Sequence, residues 1–169
     1  MSLAFVWARV LKTGRREFIM IASLTISALL VITTVAIHMF GLGVLMGVMK
    51  SRSRHIKPHD SSLRQAVFIV LLVLGLFFIH ALEIWVYALA YLLLGEFTDM
   101  STALYFSTST FSTLGYGDII MAPQWRLVAA VEGVNGFLLL GWSTAFLVTV
   151  IGRLRAIEFD WLDRLTDGE

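Results

Sequence analysis

The stretch Ser112-Thr113-Leu114-Gly115-Tyr116-Gly117-Asp118 decides the fold. It is polar and contains two glycines, yet an apolar segment of helical length lies on each side of it. Within a bilayer every backbone N–H and C=O group needs a partner, so irregular backbone survives only inside protein or beside water. Glycine reaches backbone angles closed to other residues, so this stretch could turn successive carbonyls to one side. It therefore predicts a protected, non-helical segment between two membrane spans.

The composition places the chain among membrane proteins. Of its 169 residues, 58% are hydrophobic, which is far above the share in a soluble domain. Three apolar runs, at about 18–49, 66–94 and 127–151, each exceed the roughly 20 residues that cross the hydrocarbon core. The segment 101–112 is too short to span. The net charge of +1 decides little, and the absence of cysteine excludes disulfides and thiolate metal sites.

The strip 113–117 resembles the selectivity filter of potassium channels, with Leu114 where valine is commonest. The resemblance covers about residues 64–153 and implies the all-α pore fold of the two-helix channels in bacteria. In that fold an outer helix covers 65–94, a re-entrant pore helix 101–112, the filter 113–117 and an inner helix 124–153. The resemblance implies a homotetramer, because a single strip cannot surround an ion. A glycine turn between two helices of another protein is the alternative reading.

The same resemblance implies where the ion binds. Carbonyl oxygens of the strip, with the Thr113 hydroxyl below them, would replace the hydration shell of K⁺. The expected filter residues are Thr113, Leu114, Gly115, Tyr116 and Gly117, with potassium held at Thr113, Leu114, Gly115 and Tyr116. Asp118 would form a ring of carboxylates that concentrates cations at the outer mouth. No organic cofactor and no nucleic acid partner are expected.

The inner helix would line a cavity. If Phe137 faces the pore, the helical period places Leu140, Thr144 and Val148 on the same side. Gly136 falls where these channels usually keep a hinge glycine. Glycine also serves close helix packing, so hinge and packing are equal alternatives at this position.

The chain before the pore unit predicts an additional membrane helix. Residues 18–49 are too long for the apolar core of a signal peptide and are interpreted as a retained span. Residues 1–17 suit either an amphipathic interfacial helix or an unstructured basic terminus. Residues 50–64, from Lys50 to Arg64, form a basic linker that is expected to be cytoplasmic and could attract anionic lipid. Residues 154–169 form a short tail.

The orientation of the N-terminus is in conflict with its charge. A filter facing outside, one extra span and a cytoplasmic linker together put the N-terminus outside, although residues 1–17 carry four basic side chains. The positive-inside rule opposes that placement. A first segment that does not span would satisfy the rule but would leave a long apolar run unexplained, so the single span is preferred.

Ionisable residues within the spans are candidates for gating. His80 and Glu83 lie three residues apart on one helical face, and such groups are costly in a membrane and by default functional. A purely structural hydrogen bond between them is an equal alternative. His38 is interpreted as hydrogen-bonded to a neighbouring carbonyl, with a proton sensor as the alternative. Glu132 is expected behind the filter, bonded to the pore helix, or else to His80 or Glu83.

The leading function is a potassium-selective channel of the cell membrane. A non-selective cation channel is the first alternative, against which the complete Gly-Tyr-Gly argues. A proton-coupled transporter subunit that uses His80, Glu83 and Glu132 is the second, and the single pore unit without a repeat disfavours it. An enzyme is not expected, because the sequence contains no set of nucleophile and base. The stimulus for opening is not indicated, and proton sensing is one hypothesis.

Overall fold

A computed structural model describes the backbone of residues 3–53 and 62–166, and the side chains of residues 14–51, 63 and 65–153. Regular structure in this part of the chain consists of four helices. They are α1 (Leu3–Ser53), α2 (Ser62–Leu93), α3 (Met100–Phe111) and α4 (Arg126–Thr166). Among the described residues, three helical segments are long and apolar enough to cross a membrane: Gly14–Ser51, Gln65–Leu93 and Arg126–Arg153. The chain is therefore an all-helical membrane protein with three candidate spans.

The helix bounds differ from the predicted boundaries in two places. Helix α1 runs without a break across residue 17 and ends inside the predicted linker. Helix α4 begins at Arg126 rather than at residue 124, because a turn over residues 123–125 precedes it, and it continues into the predicted tail. Residues 54–61 lie outside the described residues, as do the side chains of residues 1–13. Lipid binding by the linker and the amphipathic N-terminus therefore remain predictions.

The chain forms two compact units, each assembled from parts of the long helices. The first unit contains α1 up to Val35 together with residues 84–137. The second unit contains residues 36–83 and the chain from Leu138 onward.

In the first unit, α3 is fixed by a cap and by aromatic packing. Asp99 is its N-cap and accepts a 2.8 Å hydrogen bond from the backbone N–H of Thr102. Such a cap satisfies one of the N–H groups that a helix leaves unpaired at its start. The buried ring of Phe106 lies edge-on to Tyr91 of α2 at 5.5 Å, and 5.2 Å from Phe97. Both the start and the middle of this short helix are therefore held.

The extra helix is also bonded into the first unit. The side-chain amide of Asn135 on α4 donates to the Thr34 hydroxyl of α1 at 2.8 Å and to the Tyr87 hydroxyl of α2 at 3.2 Å. All three residues are buried. The Ser23 hydroxyl of α1 donates to the Gln124 carbonyl at 3.0 Å. Because buried polar groups are costly without partners, these bonds make α1 a packed part of the unit.

In the second unit, glycines allow α1 and α2 to approach closely. A Cβ atom built on Gly41 would lie 2.6 Å from Ile79, and one on Gly75 would lie 2.6 Å from Leu45. Small residues at membrane helix interfaces permit such contact. The apolar core beside them consists of Leu42, Leu76 and Ile79, with Leu45, Phe146 and Leu147 packed against it.

Helix α4 meets the end of α3 at Gly136. A Cβ atom on Gly136 would lie 2.8 Å from the carbonyl carbon of Phe111 and 2.9 Å from its Cα. Close packing therefore accounts for glycine at this position. Helix α4 is continuous through Gly136, and the hinge remains a prediction.

We expect Gly136→Ala to lower the thermal unfolding midpoint of the purified protein in detergent. The added methyl group would meet backbone, which cannot move aside as a flexible side chain does, and overpacking of this kind costs about 1–3 kcal/mol. Gly133→Ala is the matched control, because the nearest atom to its Cβ, the Thr110 carbonyl oxygen, would lie at 3.6 Å. Equal midpoints for the two variants would contradict this account.

Candidate functional site

The strip Thr113–Gly117 follows α3 directly and has an alternating backbone. The φ angle is positive at Thr113 (61°), Gly115 (53°) and Gly117 (75°), and negative at the two residues between them. Glycine adopts positive φ freely, but for a β-branched residue such as threonine it is an outlier. Strained backbone of this kind occurs at functional sites, where the surrounding structure enforces it.

The N–H groups at the start of the strip bond back to the end of α3. The N–H groups of Leu114 and Gly115 both donate to the Ser109 carbonyl, at 3.0 and 3.1 Å, and that of Thr113 donates to the Thr110 carbonyl at 3.0 Å. These bonds satisfy carbonyls that a helix C-terminus leaves without helical partners. They therefore both end α3 and fix the direction of the first peptide groups of the strip.

The direction of the strip carbonyls follows from these bonds. The described residues contain no cis peptide bond. In a trans peptide the C=O group points opposite to the N–H group of the next residue. Since the N–H groups of Leu114 and Gly115 point at Ser109, the carbonyls of Thr113 and Leu114 point away from α3. Within the described chain, no backbone N–H group donates to the carbonyls of the strip.

The strip borders an open groove. Thr110, Thr113 and Gly115 line it on one side, and Gly133, Val134 and Phe137 of α4 line the other. The side chain of Tyr116 is 68% exposed and that of Phe137 is 66% exposed in the single chain. The structure thus brings two of the predicted filter residues, Thr113 and Gly115, to the same groove as Phe137, the first residue of the predicted cavity lining.

The other predicted lining residues belong to α4 in the second unit. Val148 and Thr144 are exposed there, and Leu140 is half-buried. The Thr144 hydroxyl donates to the Leu140 carbonyl at 2.9 Å, so it is bonded within its own helix. Their role as a cavity lining remains a prediction.

Glu132 connects three helices behind the strip. Its carboxyl group is fully buried. The Tyr91 hydroxyl of α2 donates to one carboxyl oxygen, and Ser107 Oγ of α3 lies 2.5 Å from the other. Ser107 Oγ also lies 3.0 Å from the Ile84 carbonyl oxygen. The sequence predicted the bond to the pore helix, whereas the alternative partners His80 and Glu83 are not those observed, and Tyr91 was missed.

The two contacts of Ser107 Oγ indicate the protonation state of Glu132. A hydroxyl group carries one hydrogen, yet Ser107 Oγ lies within bonding distance of two oxygens. Both contacts are hydrogen bonds if Glu132 is a neutral acid that donates to Ser107, which in turn donates to Ile84. A neutral carboxyl is also much less costly to bury in a membrane span than a carboxylate.

We expect Glu132→Gln to retain the thermal stability of the protein, because the amide can donate to Ser107 and accept from Tyr91. Glu132→Ala should lower the unfolding midpoint, since it leaves the buried Tyr91 hydroxyl without its acceptor, at about 1–3 kcal/mol, and removes one of the two hydrogen bonds of Ser107. Both are measured by thermal unfolding in detergent. If Glu132→Gln proved as unstable as Glu132→Ala, the neutral acid would be the wrong assignment.

A second polar contact holds the C-terminal end of the strip. The Tyr105 hydroxyl of α3 donates to the Asp118 carboxylate at 2.7 Å. Because this bond stabilises the charged form, it lowers the pKa of Asp118, and it raises the pKa of Tyr105. Both side chains are exposed in the single chain. The residue that follows the strip is therefore tied to the helix that precedes it.

We expect Tyr105→Phe to raise the pKa of Asp118 toward its ordinary value, because the phenol that favours the carboxylate is removed. In the wild-type protein Asp118 therefore stays ionised to a lower pH than in the variant. Carboxyl NMR titration of aspartate-labelled protein would measure the difference. Asp99 serves as an internal control, because the hydrogen bond from Thr102 that lowers its pKa is untouched. An unchanged Asp118 titration would contradict the assignment.

The buried ionisable residues of the second unit form one cluster. Glu83 lies between two histidines, with one carboxylate oxygen 2.9 Å from His38 Nδ1 and the other 2.8 Å from His80 Nδ1. His80 Nε2 lies 2.9 Å from the Ser143 hydroxyl of α4. The sequence paired His80 with Glu83 but assigned His38 to a neighbouring carbonyl, whereas its partner is this carboxylate. The possible ligand atoms of His38, His80 and Glu83 lie within 4.8 Å of one another.

Comparison with known families identifies the class of protein. A family model described as "Ion channel" matches residues 66–153, which is just over half of the chain. The chain therefore belongs to this family of two-helix ion channels, and α1 is an additional helix that precedes the matched segment. Comparisons with curated proteins and with solved structures found no match. The family supports passive ion conduction across a membrane.

Proposed function

We propose that this protein is a potassium-selective channel that conducts K⁺ passively across the cell membrane through a homotetrameric pore. One observation carries the proposal. The carbonyls of Thr113 and Leu114 point away from α3, because the next N–H groups are bonded to Ser109. Four such strips around an axis would present rings of carbonyl oxygens that replace the hydration shell of a permeant cation.

The alternating φ angles support the same arrangement along the whole strip. Alternation places successive N–H groups on one side of a chain, and the carbonyls then face the other. Gly115 and Gly117 adopt positive φ at little cost, while Thr113 is held there by its bond to Thr110. In this proposal K⁺ is the permeant ion, bound between Thr113 and Tyr116.

Electrostatics around the strip favour a cation. The C-terminal end of a helix carries partial negative charge, and α3 ends at the start of the strip. Asp118 lies just beyond the strip, and its lowered pKa keeps it ionised. Four copies of this carboxylate would raise the local cation concentration, an effect that added salt weakens.

The surface of the single chain supports assembly. Leu114 is 57% exposed and Phe137 is 66% exposed beside the groove. In a tetramer these apolar surfaces would meet neighbouring subunits or line the pore, and the groove would become part of an enclosed path. Contiguous apolar surface of this kind marks an interaction site.

The test is the reversal potential of the reconstituted protein under a potassium–sodium gradient. We expect strong preference for K⁺ in the wild-type protein and a loss of at least about tenfold in the permeability ratio in Gly115→Ala. Alanine at positive φ is strained by about 1–2 kcal/mol, which would shift the carbonyls of the strip. Gly95→Ala is the matched control, since Gly95 has a similar φ of 72° and equally open surroundings outside the strip.

The outcomes separate the alternatives. Equal permeability of sodium and potassium in the wild-type protein would identify a non-selective cation channel. Unchanged selectivity in Gly115→Ala would remove the strip from the mechanism, and loss of selectivity in Gly95→Ala would show that general backbone strain suffices. Chemical cross-linking of the protein in lipid, with a ladder ending at four subunits, tests the assembly.

A further inference from the structure

A cluster of ionisable side chains in the second unit has no part in the conduction mechanism. It consists of His38 on α1 and His80 with Glu83 on α2, and it reaches Ser143 on α4. The side chains of His38 and Glu83 are fully buried, and that of His80 is 12% exposed. Ionisable groups inside membrane helices are costly and mark functional positions.

The charge of the cluster depends on one proton. If both histidines were neutral, the Glu83 carboxylate would be an uncompensated negative charge buried inside membrane-spanning segments. Burial of an unpaired charge is strongly unfavourable. One additional proton makes the cluster electrically neutral, because the charge of the carboxylate is then balanced within the cluster.

The position of that proton follows from the outer nitrogens of the two rings. His38 Nε2 is buried and has no hydrogen-bond partner among the residues that the structure describes. A doubly protonated His38 would therefore bury an N–H group without an acceptor, which is costly. His80 Nε2 lies 2.9 Å from the Ser143 oxygen, which can accept. His38 is thus the neutral ring, and it donates from Nδ1 to Glu83.

We infer that His38, Glu83 and His80 form an intramembrane binding site for one proton, held between His80 and Glu83, that connects the extra helix α1 with α4. When the proton leaves, His80 Nε2 loses its hydrogen, and Ser143 must change from acceptor to donor. The carboxylate between α1 and α2 is then uncompensated. Occupancy by the proton therefore reverses the hydrogen bond between α2 and α4 and changes the charge that His38 of α1 contacts.

Among the described residues, three helices contribute groups to the site. Helix α1 contributes His38, and α2 contributes His80 and Glu83. Helix α4 contributes the Ser143 hydroxyl and the Trp142 ring, whose centroid lies 5.4 Å from that of His38. Neither of these α4 side chains changes charge in the ordinary pH range.

A proton fits this site better than a metal ion. Two histidines and a carboxylate are a donor set that transition metals accept. A metal-bound histidine, however, almost always donates its second N–H group to a partner, and His38 Nε2 has none. The separations of 2.8 and 2.9 Å between the carboxylate oxygens and the ring nitrogens are those of direct hydrogen bonds.

The protonation state can be measured directly. The chain has four histidines, so nitrogen NMR of the full-length, ¹⁵N-histidine-labelled protein in lipid bilayers can resolve each ring once single variants assign them. We expect both nitrogens of the His80 ring to carry a hydrogen, whereas the His38 ring carries one. In Glu83→Gln the His80 ring should become neutral, because the charge that retains its proton is gone.

Several results would overturn the proton site. They are a neutral His80 ring in the wild-type protein, an unchanged His80 ring in Glu83→Gln, or simultaneous shifts of His38 and His80 on addition of stoichiometric Zn²⁺. Ser27→Ala is the matched control, since Ser27 is buried on α1 but donates only within its own helix, to the Ser23 carbonyl. Its spectrum at His38 and His80 should equal that of the wild-type protein.

The effect on opening rests on the proposed function and is tested separately. We expect K⁺ flux through the wild-type protein to change at least about fivefold between roughly pH 5 and pH 9, and flux through Glu83→Gln to vary much less. Ser27→Ala should follow the wild-type protein. Equal pH dependence of wild-type protein and Glu83→Gln would overturn the coupling to α4. Absence of K⁺ flux in every protein would refute the proposed channel, and the NMR result would still decide the proton site.

Discussion

The direction of the strip depends on two hydrogen bonds, which the N–H groups of Leu114 and Gly115 donate to the carbonyl of Ser109. Backbone at this position cannot satisfy itself as a helix does, so its donors must be bonded elsewhere. The end of α3 supplies the acceptors. Because the peptide bonds are trans, these hydrogen bonds direct the carbonyls of Thr113 and Leu114 away from α3. The remaining architecture of the first unit holds α3 in place.

Three kinds of contact hold that short helix, and each uses a different property. Phe106 packs against Tyr91 through ring edges, Glu132 binds Ser107 through hydrogen bonds, and Gly136 allows the backbone of α4 to touch Phe111. The glutamate is supplied by α4 and not by α3 itself. Support of the strip is therefore shared between the helix that precedes it and the helix that would line the pore.

The sequence predicted the three spans, the short helix and the position of the strip because length and hydropathy constrain them strongly. The partners of buried polar groups were harder to predict, since they depend on how each helix is rotated about its axis. In a helix that is apolar on every side, the sequence pattern does not fix this rotation. His38 and Glu83 lie 45 residues apart in sequence, and only packing shows that they meet. Helix α4 begins two residues later than the predicted inner helix, because the turn over residues 123–125 precedes its first helical residue.

The lengths of α3 and of the strip have a geometric consequence. Twelve helical residues cover about 18 Å, and five residues cover at most about 17 Å even when the chain is fully extended. The hydrocarbon core is about 30 Å thick, so the helix alone would end little more than half-way across. In the proposed pore the strip would lead the chain back toward the side from which α3 descends, and the bond between Tyr105 and Asp118 ties the residue after the strip to the middle of α3. Tyr105 and Asp118 lie 13 residues apart, so one residue inserted into the strip or removed from it would alter this contact.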